Sequence, residues 1–322
     1  MSIRPFDWRD LPALHRYRNS SVYLNSALLL TRGSRLYSSA LLSSIGSSIA
    51  VITSVSVKNS DTNEKLIGQI THILGGQLAL LTFLMPDQAL DSNGLSPLLE
   101  HLSTQVTERG AFRILAEVDE RALAFEVLRR TCFAIYARQK IWKLKPAGDS
   151  QSLGLSWREA RSSDLIPVRS LYQNLVPGLV QQVEPFPEER LQGLVYRQEQ
   201  DVLAFVELKY GPRGIWAQPF VHPDAENVAD ELIEMLQNLP HRRSRPIYVC
   251  VRSYQSWLET AIEDIGAEPS PRQAVMVKHL AAPQKAVRSY ALPALEGGQA
   301  EVSTPIVHSQ YTSAQTVNLE SD

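Results

Sequence analysis

The chain has 322 residues, 44% of them hydrophobic and 20% charged, with a formal net charge of −2 at pH 7. That length predicts two domains with ordinary apolar cores, and the near-neutral charge gives no electrostatic basis for binding nucleic acid or an anionic membrane surface. Two cysteines, Cys132 and Cys250, make neither a disulfide framework nor a metal set, and the seven histidines show no ligand spacing, so a reducing, cytoplasmic setting without a metal is expected.

The opening residues Arg4, Asp7, Arg9 and Asp10 exclude the apolar core of a secretory signal. Asp10 stands at a helix N-cap position ahead of Leu11, Leu14 and Tyr17 at helical spacing. Leu36–Val57 carries no charge and is long enough to span a bilayer, but its many serines and the β-branched Ile49–Val57 read as a half-buried strand. Ile49–Val57, Lys65–Leu74 and Gln77–Leu84 form an antiparallel meander, with Lys58–Glu64 and then Gly75-Gly76 as its turns. Pro86 stops it. A helix follows with Leu95, Leu98, Leu99, Leu102 and Val106 on one face and Gly110 at its end. Arg113–Val118 is a strand, Ala122–Arg130 a helix and Ile135–Leu144 a closing strand, with Pro146, Gly148 and Gly154 marking a linker.

The second half repeats the order. Asp164 caps a helix through Leu165, Val168, Leu171 and Tyr172, and Val176–Pro187 is a loop. Val202–Lys209 and Ile215–Val221 form a hairpin, Val228–Leu239 a helix and Ile247–Val251 a strand. Trp257–Ile265 is a helix ended by Gly266, and Ala274–Leu280 a closing strand. Specific landmarks recur as well: Arg4 and Asp10 match Arg158 and Asp164, and Phe83–Pro86 matches Phe220–Pro223. The division is therefore 1–146, 155–282 and a tail, 283–322, whose poverty in bulky apolar residues predicts disorder. The cluster His241, Arg242, Arg243 and Arg245 reads as a solvated loop.

Both halves resemble the GNAT acetyltransferase superfamily. The residues that carry the likeness are Ile3-Arg4-Pro5 with Asp10-Leu11, Phe83–Pro86 and Arg109-Gly110. In the second half they are Trp157–Ala160 with Asp164-Leu165, Phe220–Pro223, Ile265–Ala267 and Val275–Lys278. The resemblance implies an α/β (α+β) fold, two tandem domains each with a twisted mixed sheet flanked by helices, and acetyl-CoA as co-substrate. It implies that the pantetheine arm lies along Phe83, Leu84 and Met85 and that pyrophosphate meets the loop matching Arg/Gln-x-x-Gly-x-Gly/Ala. That loop works by offering backbone N–H groups at a helix N-terminus. Here it reads Asp91-Ser92-Asn93-Gly94-Leu95-Ser96, so Ser92, Asn93, Gly94, Leu95 and Ser96 are the expected cofactor contacts. Asp91 replaces the basic residue, and Pro97 removes one N–H from the first turn. The second copy, Asp224–Ala229, is more acidic and keeps only Ala229.

The family's general-acid tyrosine falls at Leu128 and Ile262, which donate no proton. Glu117, at the end of a strand, is the expected general base, or else a solvent-facing carboxylate. Tyr254 lines the pocket and donates a proton, or simply packs. Cys250, inside an apolar run, reads as a core residue rather than a nucleophile. The expected activity is N-acyl transfer from acetyl-CoA to an unknown small amine or peptide amine. The alternative is a silent binding or structural module, and self-association is open in either case.

Overall fold

The computed structural model describes residues 2–33, 49–57, 65–145, 157–186, 191–198, 201–223, 228–239 and 244–280. The 146–156 linker, the turn 58–64, residues 36–48 of the uncharged run, most of the basic cluster, Asp224–Asn227 and the tail lie outside them.

In the first half, β1 (Ser2–Pro5), α1 (Leu11–Tyr17), β2 (Val22–Tyr23) and α2 (Ser26–Arg32) precede the meander β3 (Ile49–Val57), β4 (Lys65–Ile73) and β5 (Leu78–Met85). Then come α3 (Leu95–Thr107), β6 (Arg113–Asp119), α4 (Leu123–Arg130) and β7 (Ala134–Leu144). The Leu95–Val106 stripe packs on the sheet as its spacing predicts, and α3 ends at Gly110, whose φ of 97° suits glycine. The serines of β3 differ from expectation: Ser54 and Ser56 are buried, because they share the face of Ile52, which packs in the core beneath α3.

The second half holds β8 (Trp157–Glu159), α5 (Leu165–Leu175), α6 (Gly178–Val183), β9 (Gly193–Gln198), β10 (Asp201–Tyr210) and β11 (Ile215–Val221). It continues with α7 (Val228–Gln237), β12 (Ile247–Arg252), α8 (Leu258–Asp264), the short β13 (Glu268–Pro269) and β14 (Gln273–His279). The stretch expected to be loop, Val176–Pro187, contains α6, whose Val180 and Val183 are drawn into a core shared with Phe205 and Phe220.

All these strands join one sheet, ordered β1-β3-β4-β5-β6-β14-β7-β12-β11-β10-β9-β8, with β2 and β13 beside β5 and β7. The two closing strands are exchanged. β14 runs between β6 and β7, antiparallel to both, with Val275 opposite Glu117 and Ala137. β7 in turn pairs with β12, Ile141 opposite Cys250. The hydrogen bonding thus crosses the expected division of the sequence, and residues 1–283 form one compact unit.

The repeated Arg/Asp pair is structural. Arg4 donates to both oxygens of Asp10 at 2.6 and 2.8 Å, Lys65 adds a bond at 2.8 Å, and the Asp7 N–H adds another at 3.1 Å. Arg158 grips Asp164 twice at 2.7 Å, with the Arg161 N–H at 2.8 Å. Both aspartates sit at the N-cap positions of α1 and α5, yet neither caps; their carboxylates turn back to the arginine instead. Burial alone would raise the Asp10 carboxyl, but the bonds from Arg4 and Lys65 outweigh it and hold it at about 2. For Asp164 the Arg158 bond itself is the largest influence, also downward. Since both folded values lie below the unfolded ones, the stability they contribute is complete above about pH 4 and is lost as pH falls through the folded values. Urea midpoints should therefore drop between about pH 4 and 2, and Asp10→Asn should flatten that slope. A slope unchanged in Asp10→Asn would remove Asp10 from the account.

The halves also meet where α2 reaches the β10–β11 turn. The Arg213 N–H donates to the Thr31 carbonyl at 3.0 Å, and a Cβ on Gly211 would stand 2.3 Å from that same oxygen. Gly211→Ala should cost about 1–3 kcal/mol in chemical denaturation, because the obstacle is backbone. Wild-type stability would mean that helix and turn slide apart freely.

Candidate functional site

A groove for a ligand arm needs two parallel strands that part, and both halves have them. β5 and β6 are paired only over Leu78–Leu80 and Arg113–Leu115. β11 and β12 are paired only over Ile215–Ala217 and Ile247–Val249. Beyond those points each pair diverges, at Phe83–Met85 and at Gln218–Val221.

Neither opening is vacant. In the first half β2 lies in it, with Val22 opposite Leu84 and Tyr23 opposite Phe83. The Leu24 N–H donates to the Thr82 carbonyl at 2.9 Å, and the Glu117 N–H donates to the Leu24 carbonyl at 2.9 Å. The chain therefore bridges β5 to β6 as a pantetheine arm would be expected to do, and the Leu24 side chain fills the α3 face beside Leu95 and Leu98. β2 takes the backbone edge of Phe83 and Leu84 that was expected to meet the pantetheine arm, and the side chains of Phe83, Leu84 and Met85 are all core. In the second half the buried Gln255 reaches into the opening. Its amide donates to the Pro219 carbonyl at 3.2 Å and accepts from the Val221 N–H at 3.1 Å, in the orientation its neighbours require.

The expected pyrophosphate loop lies at the surface, at the start of α3. Asp91 pairs with Arg130 at 3.1 Å on the surface, Ser92, Asn93 and Ser96 are exposed, and Gly94 precedes α3. The Leu95 side chain is core, and its N–H donates to the Ser92 carbonyl at 3.2 Å, leaving that N–H turned inward. Leu128 and Ile262, at the positions of the implied tyrosine, are fully buried core residues. Burial pushes the Cys250 thiol up to about 12, which keeps it from serving as a thiolate nucleophile.

On the opposite face of the sheet the halves enclose a cavity of about 430 Å³. Its apolar wall includes Leu80, Leu115, Phe186, Phe205 and Phe220, and its polar groups include Glu117, Tyr136, Glu184, Glu207, Lys209 and Arg252. Glu117 does face this space, and its Oε2 accepts the Ser26 N–H at 2.8 Å. Tyr254 is not among the lining residues; it packs on the core around Tyr172 and Phe220, and burial raises its hydroxyl. Arg252 Nη2 holds both oxygens of Glu184, at 2.9 and 3.1 Å, and the Tyr136 hydroxyl donates to the same carboxylate. Burial first, then the Glu184 charge, raises the Tyr136 hydroxyl, so it stays protonated. Sequence reasoning missed Arg252 and Glu184. Arg252 closes an apolar strand and Glu184 sits in a proline-rich stretch, and neither pattern points to the other. No described helix is long and apolar enough to cross a membrane.

No family model and no curated protein matches the sequence. Among solved structures, a GCN5-related N-acetyltransferase from Sphaerobacter thermophilus gives a TM-score of 0.53 at 11% identity, over 86% of this chain and 95% of that one. A tandem GNAT protein from the clavulanic acid biosynthesis pathway gives 0.47 at 12% identity, over 86% of this chain and 98% of its own. A GNAT-family acetyltransferase from Colwellia psychrerythraea gives 0.43 at 13% identity, over 87% and 100%.

Proposed function

We propose, from the GNAT fold that this chain has, that it is a small-molecule-binding module whose two acyl-CoA grooves are closed by its own atoms. The observation that carries the reading is the double occupancy: β2 with Leu24 in one opening and the Gln255 amide in the other. A pantetheine arm binds such a strand edge by replacing water on free N–H and C=O groups, and here those groups already have partners. The acidic Asp91 next to the first loop adds to this. Calorimetric titration of the full chain with acetyl-CoA should give no heat. Micromolar binding would overturn the reading.

The second reading is acyl-CoA-dependent N-acyl transfer to a small amine through the second half, in a cytoplasmic setting. What favours it is that a single side chain, rather than a strand, holds that opening. Glu117, with one oxygen unengaged by Ser26, would then serve as base, and Tyr254 is too deeply packed to serve as acid. Gln255→Ala separates the two. On the second reading the wild-type protein binds acetyl-CoA and the variant, with the Pro219 and Val221 groups freed, binds it more tightly; on the first, the wild-type protein is silent and affinity appears only in the variant.

A further inference from the structure

We infer that the cavity between the halves takes a free α-amino acid with an apolar side chain, its ammonium on Glu117 and its carboxylate on Arg252. The inference rests on reading this cavity as a binding site, and on nothing about acyl-CoA.

Charge comes first. The lining carries three carboxylates, Glu117, Glu184 and Glu207, against two cations, Lys209 and Arg252, a formal balance of −1. Glu184 is answered by Arg252 and Tyr136, and Glu207 by Lys209 at 3.2 Å. Glu117 receives one backbone N–H and has no cationic side chain within ion-pair distance among the described residues. It is the carboxylate with room for an ammonium.

Arg252 supplies the other pole. Its side chain is 6% exposed, yet Nε and Nη1 have no hydrogen-bond partner, because Glu184 engages Nη2 alone. A guanidinium has five donors, and buried donors without partners are rare and costly. Both atoms are closed off from the cavity in this arrangement, so a carboxylate beside Glu184 reaches one of them, Nε or Nη1 together with Nη2, only as the side chain turns. A simple anion would take the cavity from −1 to −2, and a simple amine would leave Arg252 unfilled. A zwitterion answers both poles without changing the net charge.

The remaining wall sets the body of the ligand. Phe186, Phe205, Phe220, Leu80, Leu115 and Val275 form an apolar surface, and the volume lies in the range of small-molecule sites, about 300–1,000 Å³. An aromatic or branched aliphatic side chain fits that surface; a polar one would be desolvated there without partners.

The test is titration of the full chain with L-phenylalanine and L-leucine, alongside 2-phenylethylamine, which lacks the carboxylate, and 3-phenylpropionate, which lacks the ammonium. The amino acids should bind, and each deletion analogue should bind about tenfold weaker or worse. Glu117→Gln should weaken phenylalanine by about tenfold while leaving 3-phenylpropionate unchanged. Arg252→Gln strands Glu184 and risks the fold, so the analogue series carries the carboxylate half of the argument by itself. The inference is overturned if neither amino acid binds the folded chain, or if either analogue matches phenylalanine. Acetyl-CoA is titrated separately: heat from it removes the closed-groove reading, whereas silence from the amino acids removes only this one.

Discussion

A chain terminated after Arg272 should not fold cooperatively, although it keeps every residue of the first half. It lacks β14, and with it Ala274, Val275, Met276 and Val277, all buried, two in the first half's core and two in the core the halves share. Burying side chains of this kind contributes roughly 1.5–3 kcal/mol each for the three larger ones. Together with the backbone bonds to two neighbours, that is comparable to the whole stability of a typical domain, about 5–15 kcal/mol. Near-ultraviolet circular dichroism and urea unfolding would read the outcome. A chain ending at Pro283 is the control and should unfold like the full protein. If the shorter chain shows a cooperative transition at the full-length midpoint, the exchange of closing strands is not a structural necessity.

Leu24→Ala should cost about 2–5 kcal/mol, the range for emptying a fully buried leucine site, because its side chain lies between β5, β6 and α3 among Leu90, Leu95 and Leu98. It should not restore acetyl-CoA binding. The backbone of residues 22–24 remains bonded to Thr82 and Glu117 whatever side chain it carries. Denaturant unfolding and acetyl-CoA calorimetry on the same sample check both halves of the statement. Binding by the variant but not by the parent would show the leucine side chain to be the sole obstacle, and the strand beside it displaceable.

The elements that sequence reasoning placed well are those whose burial is one-sided or whose ends are chemically marked. The α3 stripe, the Gly75-Gly76 turn and the stops at Gly110 and Gly266 all stand where spacing and positive φ require. What escaped it depends on partners distant in sequence. Periodicity says that Ala134–Leu144 and Gln273–His279 are strands, but not which neighbour each will choose, and both choose across the repeat. β2 is two residues long and leaves no period to detect. Arg4 and Asp10 recur as Arg158 and Asp164, and Asp10 by itself reads as a cap, whereas the spacing of the pair serves a fork of bonds. In the cavity, Glu117 was legible as a strand-end carboxylate, while Arg252, Glu184 and Tyr136 converge from three elements and only coordinates bring them together.

The crossed closing strands also govern the order of events during synthesis. β6 emerges with one edge unmet, and the strand that covers it arrives ~160 residues later. Until then the earlier half has no finished edge to present, and chaperones or neighbouring nascent chains have a window on it. The protein is in that sense a single unit of translation: the first half's main core closes only when β14 arrives.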